Sequence, residues 1–142
     1  MNQIIESLMN RKSVRQFEEK AIPKEIKDII LEAAFQAPTA GNQMLYAIID
    51  VTDAQLKKKL SETCDHQPFI AKAPLVLIFL ADTRRWLDAY TVAGLEARSP
   101  QMGDLFLAIQ DAVIAAQNAV VAAESFGLGS CYIGDILENI EV

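Results

Sequence analysis

The segment from residue 105 to residue 126 constrains the fold more than any other part of the chain. It is helix-forming throughout, with small Ala residues alternating with Val and Ile. A helix that is apolar nearly all round must be buried, either centrally in a domain or against another subunit. Its apolar run from Leu105 to Ala123 is interrupted by four polar residues, Gln110, Asp111, Gln117 and Asn118. They favour a buried helix over a membrane span. Asp104 is its predicted start, and Gly127 its predicted left-handed end.

Elsewhere, the pattern of apolar residues predicts helices alternating with strands. Helices are predicted over residues 2–9, 24–36 and 135–142. Two more are predicted between them, one that begins after a cap at Thr52 or Asp53 and one that runs through Trp86 and Tyr90. Strands are predicted over residues 47–51, 75–81 and 130–133. The run 75–81 is apolar without a break, which predicts a strand buried on both faces. With 142 residues, 51% hydrophobic content and no linker, residues 1–142 are expected to form a single α/β or α+β domain.

The charge of the chain excludes some classes of partner. Its formal net charge is −6, which argues against general affinity for nucleic acid or anionic membranes. No Lys or Arg follows Arg98, so an anion must be held mainly by the N-terminal third or by residues that this chain does not contain. The two cysteines, Cys64 and Cys131, lie far apart and form no zinc-ligand spacing. We therefore expect reduced thiols in a cytoplasmic protein.

A cationic cluster near the N-terminus is the clearest candidate for a binding site. Three cations and a hydroxyl fall within five residues: Arg11, Lys12, Ser13 and Arg15. Arginine carries a planar fork of donors that suits phosphate, so the cluster predicts an anionic ligand. The alternative is a solvated surface, which is our expectation for the lysine run at residues 57–59.

The glycines near residue 127 and the single histidine are weaker candidates for a functional site. The glycines at residues 127 and 129 do not form a dinucleotide-binding fingerprint, because they follow a helix and precede a strand, the reverse of the required order. The single histidine, His66, has no nucleophile or metal ligand nearby in the sequence, and we expect it to be a polar surface residue.

Four segments give the chain a family resemblance. They are RKSVRQF at 11–17, APTAGN at 37–42, HQPFIAKAP at 66–74, and AAQNAVVAAESFGLGSCYIGDILENIE at 115–141. Together they resemble the FMN-dependent nitroreductase family, in particular its oxygen-insensitive NADPH nitroreductase and flavin reductase branch. The resemblance implies a nitroreductase-like α+β fold (an α/β sandwich), with a central mixed sheet flanked by helices around a long buried central helix.

The resemblance also assigns cofactor-binding roles by position. It implies that Arg11, Lys12, Ser13 and Arg15 hold the FMN phosphate and ribityl chain. Thr39 would lie in a small hydroxyl loop against the flavin of the partner subunit, and Gln67 would reach the flavin or its ribityl chain. Ile133, Gly134 and Asp135 match a turn whose backbone approaches the isoalloxazine ring near N5 and O4. No metal and no catalytic dyad are implied.

The chain departs from the family pattern at three places. Residues 42–46 read Asn-Gln-Met-Leu-Tyr where many members have Asn-x-Gln-Pro-Trp. Asp135 stands where a second glycine is common, and a carboxylate there would disfavour the anionic reduced flavin unless its side chain points away. The family's later basic residues of the phosphate site would lie beyond Val142, so we expect a chain that lacks its C-terminal part and binds FMN weakly.

Three functions remain open from the sequence. The first is an FMN-dependent NAD(P)H oxidoreductase, a homodimer that reduces nitroaromatics, quinones or free flavin by ping-pong hydride transfer through flavin N5. The second is a flavin-binding or dimerising remnant without turnover. The third is a helical interaction subunit that uses the 105–126 helix for dimerisation only.

Overall fold

The long helix predicted from the sequence is the axis of the fold. The computed structural model describes residues 2–138 and places helix α6 at Met102–Ser125. One face of α6 is fully buried and consists of five alanines and one acid: Ala108, Asp111, Ala112, Ala115, Ala116 and Ala119. Small side chains let neighbouring elements approach the helix closely, as in the α2–α6 packing against Ala119.

The bounds of the elements agree with most of the predictions. The helices are α1 Gln3–Asn10, α2 Lys24–Phe35, α3 Ala54–Thr63, α4 Pro68–Lys72, α5 Arg85–Val92, α6 and α7 Asp135–Glu138, with a 3₁₀ turn at Ala40–Asn42. The strands are β1 Tyr46–Asp50 and β2 Leu77–Ala81. Residues 139–142 of the last predicted helix lie outside the described residues.

The end of α6 follows the glycine prediction. Gly127 has φ of +74°, the left-handed conformation that glycine adopts at little cost. Its N–H donates to the carbonyl of Glu124 at 2.9 Å, and the N–H of Leu128 donates to the carbonyl of Ala123 at 3.0 Å. This pair of bonds is the Schellman motif, which satisfies carbonyls that a helix end leaves without a partner.

Two buried clusters join α6 to its neighbours. One contains Ile30 and Ala34 of α2 with Ala119, and the other contains Tyr46 of β1 with alanines of α6. Ile48 and Phe79, which face each other across the two strands, pack against both clusters. The hydroxyl of Tyr46 donates to the carbonyl of Ala34 at 3.3 Å, and burial raises the pKa of Tyr46 above its ordinary value of 10.0.

The sheet is smaller than expected. β1 and β2 pair antiparallel, from Tyr46 opposite Ala81 to Asp50 opposite Leu77. The prediction that β2 is buried on both faces is wrong, because only one face packs on α6 and Leu80 is 42% exposed. The predicted strand at 130–133 is reduced to one parallel bridge, between Ser13 and Ser130. Of the predicted central mixed sheet, the described residues therefore contain the antiparallel pair β1–β2 and the parallel bridge between Ser13 and Ser130.

In the described part of the chain, α6 is the one helix that is long and apolar enough to cross a membrane, judged by length and composition alone. Its alanine face is covered by α2 and the two strands, as expected for the core helix of a domain. Several large apolar side chains of its other face are exposed, among them Met102, Phe106, Ile109 and Val113.

The start of α6 is stabilised by an ion pair between Arg98 and Asp104. The helix begins two residues before the predicted start, and Asp104 accepts the N–H of Gln101 at 2.7 Å. The guanidinium of Arg98 donates to both oxygens of Asp104, at 2.6 and 2.7 Å. The hydrogen bonds from Arg98, and then that from Gln101, lower the pKa of Asp104 to about 2.

Asp104→Asn should destabilise the protein in a pH-dependent way. Because folding lowers the pKa of Asp104 from 3.8 to about 2, its stabilising effect is full above about pH 4 and is lost as the pH falls through about 2. We expect the difference in melting temperature between wild type and variant to shrink over this range in circular dichroism melts. Arg98→Ala should reproduce most of the loss at pH 7, and a difference that does not change with pH would contradict this account.

Candidate functional site

The cationic segment lies beside the turn that the resemblance assigns to the flavin ring. The N–H of Val14 donates to the carbonyl of Ser130 at 2.9 Å, next to the bridge between Ser13 and Ser130. Gly129 makes this close approach possible, since a Cβ built on it would lie 2.5 Å from Cγ2 of Val14 and 3.0 Å from its Cβ. Residues far apart in the sequence therefore meet at one bridge.

Gly129→Ala should separate these two segments. The added methyl cannot fit against the stiff, β-branched Val14 without moving the backbone, and we expect a loss of stability of about 1–3 kcal/mol. Thermal or urea unfolding would measure it. Val14→Ala should restore much of the loss in the double variant, because it removes the two closest methyl contacts.

Gly103→Ala is the matched control, since a Cβ on Gly103 would meet nothing within 4 Å. Gly103 lies in the first turn of α6, where alanine favours the helix, so this variant should be neutral or slightly stabilising. Equal losses at Gly129 and Gly103 would show that the Val14 contact is not the cause.

Two predicted site residues, Gln67 and Asp135, are in direct contact. The side-chain amide of Gln67 donates from Nε2 to Oδ2 of Asp135 at 2.5 Å and to the carbonyl of Cys64 at 3.0 Å. Asp65 and His66, immediately before Gln67, both have left-handed backbones, with φ of 55° and 51°. The carboxylate of Asp135 is therefore turned towards the Gln67 amide, and α7 begins at this residue.

The rest of the turn is open. Ile133 is half-buried, whereas Gly134 is exposed. The carbonyl of Gly134 accepts the N–H of Leu137 at 2.8 Å as the chain enters α7. A Cβ on Gly134 would meet only the end of the Glu138 side chain, at 3.5 Å, so the backbone here is accessible to a ligand.

The cations of the 11–15 segment have no acidic partner among the described residues. No carboxylate oxygen of residues 2–138 lies within 4.0 Å of Arg11, Lys12 or Arg15 in an ion pair. Nη1 of Arg11 is buried and has no hydrogen-bond partner there, and the same is true of the Ser130 hydroxyl. In a chain with more acids than bases, such unpaired donors fit an anionic ligand better than a structural role.

Arg11 also lies close enough to Tyr132 to act on its phenol. Burial raises the pKa of Tyr132 above its ordinary value of 10.0, and the positive charge of Arg11 opposes this shift. The Tyr132 hydroxyl donates to Oε1 of Gln117 at 3.3 Å, which connects the turn to α6. Arg11, the turn and the second half of α6 thus form one continuous region.

Arg15 borders a second feature, a cavity between the N-terminal segment and α4. Arg15, Phe17, Phe69 and Lys72 are among the residues that line it, and the two phenyl rings have centroids 6.4 Å apart. Lys72 was not among the site residues predicted from the sequence. Its spacing of four residues from Pro68 on α4 places both on one face and could have indicated it.

Thr39 belongs to a different group of contacts. Its hydroxyl oxygen accepts the N–H of Met44 at 3.2 Å, and the loop is tied to the buried Asp111 of α6. In the part of the chain that the structure describes, no hydrogen bond joins Thr39 to the group formed by Arg11, Ser13, Gln67 and Asp135. Its expected role at the flavin of a partner subunit remains a prediction.

The lysine run at residues 57–59 is solvated only in part, whereas His66 lies on the surface. Lys57 is half-buried and donates to the carbonyl of Ala73 at 2.9 Å, so the expectation of a fully solvated run is wrong for this residue. Lys58 and Lys59 are exposed, as is His66. Within residues 2–138, no group of three or more His, Cys, Asp or Glu side chains could hold a metal ion.

Solved structures share this arrangement of elements. The NfrA1 nitroreductase from B. subtilis superimposes with a TM-score of 0.93 at 32% identity, over 98% of this chain and 57% of that one. The NADPH:FMN oxidoreductase from Vibrio harveyi, solved in complex with NAD+, gives a TM-score of 0.88 at 27% identity, over 97% of this chain and 58% of that one. The nitroreductase-like α+β fold is thereby confirmed.

The chain belongs to the nitroreductase family, whose family model matches residues 8–140. It is 35% identical to FMN reductase [NAD(P)H] of Bacillus subtilis (strain 168), over 98% of this chain and 57% of that protein. It is 33% identical to the oxygen-insensitive NADPH nitroreductase of Salmonella typhimurium, over 99% of this chain and 57% of that protein. The chain thus spans about 57% of the length of these curated relatives.

Proposed function

We propose that this chain binds FMN and is an NAD(P)H-dependent oxidoreductase that reduces small acceptors such as nitroaromatics, quinones or free flavin. The observation that carries the proposal is the buried and unpartnered Nη1 of Arg11, within a cationic segment that has no acidic partner in residues 2–138. The names of the relatives, which are FMN reductases and NADPH nitroreductases, support the same function.

The residues present fit the phosphate group of FMN. It is a dianion at neutral pH, and charge-assisted bonds from Arg11, Lys12 and Arg15, with the hydroxyl of Ser13, are the donor set that it needs. The unpartnered hydroxyl of Ser130 lies on the same bridge and could add one more bond. When bound, FMN would supply the hydride chemistry through its N5, with NAD(P)H as donor.

The protein's own contribution would be to place the ring. The open backbone at Ile133 and Gly134 would lie along one edge, with Gln67 held in place by Asp135. The Asp135 carboxylate accepts a hydrogen bond from the Gln67 amide, so its negative charge is partly neutralised by that donor. This arrangement would ease the conflict between a carboxylate at residue 135 and an anionic reduced flavin.

We also propose a homodimer in the cytoplasm. Four exposed apolar residues, Met102, Phe106, Ile109 and Val113, are spaced by four, three and four along α6, so they form one stripe on the face away from the core. A second copy of the chain would cover this stripe and could bring its Thr39 loop to the flavin. Both cysteines are free thiols, as expected in a reducing compartment.

A desalting experiment with a turnover assay tests the function. The chain is mixed with FMN and desalted, its flavin absorbance is recorded, and NADPH oxidation is followed with a quinone or a nitroaromatic acceptor. Retained flavin with steady oxidation supports the oxidoreductase. Retained flavin without turnover identifies the flavin-binding remnant, which is the alternative. A folded protein that shows no FMN binding in a calorimetric titration, which also detects weak binding, overturns the proposal in favour of an interaction subunit.

A further inference from the structure

The carboxylate of Asp111 is buried in the core of the domain and binds the backbone of a distant loop. Asp111 is 2% exposed and lies among the alanines on the core face of α6. Its Oδ1 accepts the N–H of Ala40 at 3.0 Å, and its Oδ2 accepts the N–H of Leu45 at 3.1 Å. No ion pair to a cation is present for Asp111 among residues 2–138. Both oxygens are thus committed to the backbone of one distant loop.

A buried carboxylate is costly, so its presence calls for a physical reason. Removing a charge from water is unfavourable unless hydrogen bonds replace the lost hydration. The neighbouring core positions Ala108, Ala112 and Ala115 show that a small apolar residue suits this face of α6. An acid that holds two backbone N–H groups specifies a loop conformation, which an alanine at the same position would not do.

The loop that Asp111 holds has an unfavourable backbone. Gly41, Asn42 and Met44 all have left-handed φ values, of 57°, 55° and 53°. For residues other than glycine this conformation is strained, and it persists where the surroundings fix it strongly. Released from its contacts, the loop would be expected to relax to other conformations.

The same loop is also held from its other side, by α5. Nη1 of Arg85 donates to the carbonyl of Met44 at 2.7 Å, and Nε1 of Trp86 donates to the carbonyl of Gln43 at 2.9 Å. Asp111 therefore binds N–H groups at the two ends of the loop, while α5 binds carbonyls near its middle. The position of Thr39, whose hydroxyl accepts the N–H of Met44, follows from these contacts.

We infer that Asp111 is a positioning residue for flavin binding: by holding the strained loop 39–45 it sets where the Thr39 hydroxyl meets the flavin of the partner subunit in the proposed dimer. The inference rests on the proposed function. Asp111 touches no reacting atom in this account, and it acts only through the loop. It would make α6 both the core helix of the domain and the support of one wall of the site.

Asp111→Asn is the direct test. The amide oxygen can still accept one N–H, but the amide nitrogen would face the other, so one of the two contacts is lost. We expect FMN affinity to fall by at least about tenfold, in line with a lost hydrogen bond to a charged group. The visible circular dichroism of bound FMN should change, and the amide of Ala40 or Leu45 should exchange faster.

Asp104→Asn is the matched control, an acid-to-amide change on the same helix at a residue that binds the N–H of Gln101 and the guanidinium of Arg98. It should lower the melting temperature yet leave FMN affinity and the flavin spectrum unchanged. If Asp111→Asn fails to fold, Trp86→Phe removes the outer contact at Gln43 and should weaken FMN binding in the same direction.

The outcomes are distinguishable. Wild-type affinity and an unchanged flavin spectrum in a folded Asp111→Asn protein would overturn the role of Asp111 while leaving the proposed function intact. If Trp86→Phe must be used, faster exchange of the loop amides together with unchanged FMN affinity would show that the loop does not set flavin binding, which also overturns the role of Asp111. A wild-type chain that binds no FMN would overturn the proposed function itself, and the role of Asp111 in flavin binding with it.

Discussion

Alanine at both Arg11 and Arg15 should lower the affinity of the chain for FMN by about 10²-fold to 10⁴-fold. Each arginine would lose a charge-assisted bond to phosphate, worth about 1.5–3 kcal/mol, and each 1.4 kcal/mol is a factor of ten. The loss should be large because neither guanidinium has an acidic partner within residues 2–138 to compensate. Calorimetry or flavin-fluorescence titration at fixed ionic strength would measure it.

The control for this prediction is the double variant Lys58→Ala with Lys59→Ala. It removes the same net charge from two exposed side chains of α3, and we expect FMN affinity to change little. Lys57 is unsuitable as a control, because its ammonium holds the carbonyl of Ala73. Similar losses in the two double variants would show that general electrostatics, and not a site, attracts the ligand.

The Arg11 change should also separate binding from stability. Nη1 of Arg11 is buried without a partner in the described residues, which costs stability while no ligand is present. Arg11→Ala should therefore leave the melting temperature of the FMN-free protein equal or higher, although it weakens FMN binding. A residue kept at a cost to stability is typical of a functional site.

Val113→Asp should dissociate the proposed dimer. Val113 is 60% exposed at the end of the apolar stripe of α6, and a second copy that covers the stripe would bury the new carboxylate without a partner. An uncompensated buried charge costs about 3–5 kcal/mol, and two-fold symmetry introduces it twice, so the dissociation constant should rise by at least about 10²-fold. Sedimentation equilibrium would measure it.

Val92→Asp makes the same chemical change on α5, at a side chain that is 90% exposed. It should leave the association constant unchanged. A wild-type chain that is monomeric at micromolar concentration would contradict the dimer, and equal effects of the two substitutions would contradict the assignment of the interface to α6.

The elements that the sequence predicted well are those with local causes. The α6 helix follows from composition and periodicity over its own length, and its end follows from one glycine. Burial of β2 was predicted wrongly, because it depends on which elements cover each face, and those elements lie elsewhere in the sequence. The same reason explains why the predicted strand at 130–133 makes a single bridge.

The site shows the same division between local and distant information. The family resemblance identified Gln67 and Asp135 as separate residues, but their contact spans 68 positions and has no local signature. Asp111 was recognised only as a polar interruption of an apolar helix. Its partners are backbone N–H groups, which every residue except proline carries, so no pattern of side chains could indicate them.

The bridge between Ser13 and Ser130 has a consequence for how the protein acquires its ligand. These residues are separated by nearly the whole described chain, so closing the contact incurs a large loss of chain entropy and must wait for other structure to bring the two segments together. During synthesis, Arg11 and Arg15 would leave the ribosome long before the residues that anchor their segment. If the chain binds FMN as proposed, we therefore expect the nascent chain to be unable to capture it until Ser130 has emerged and folded.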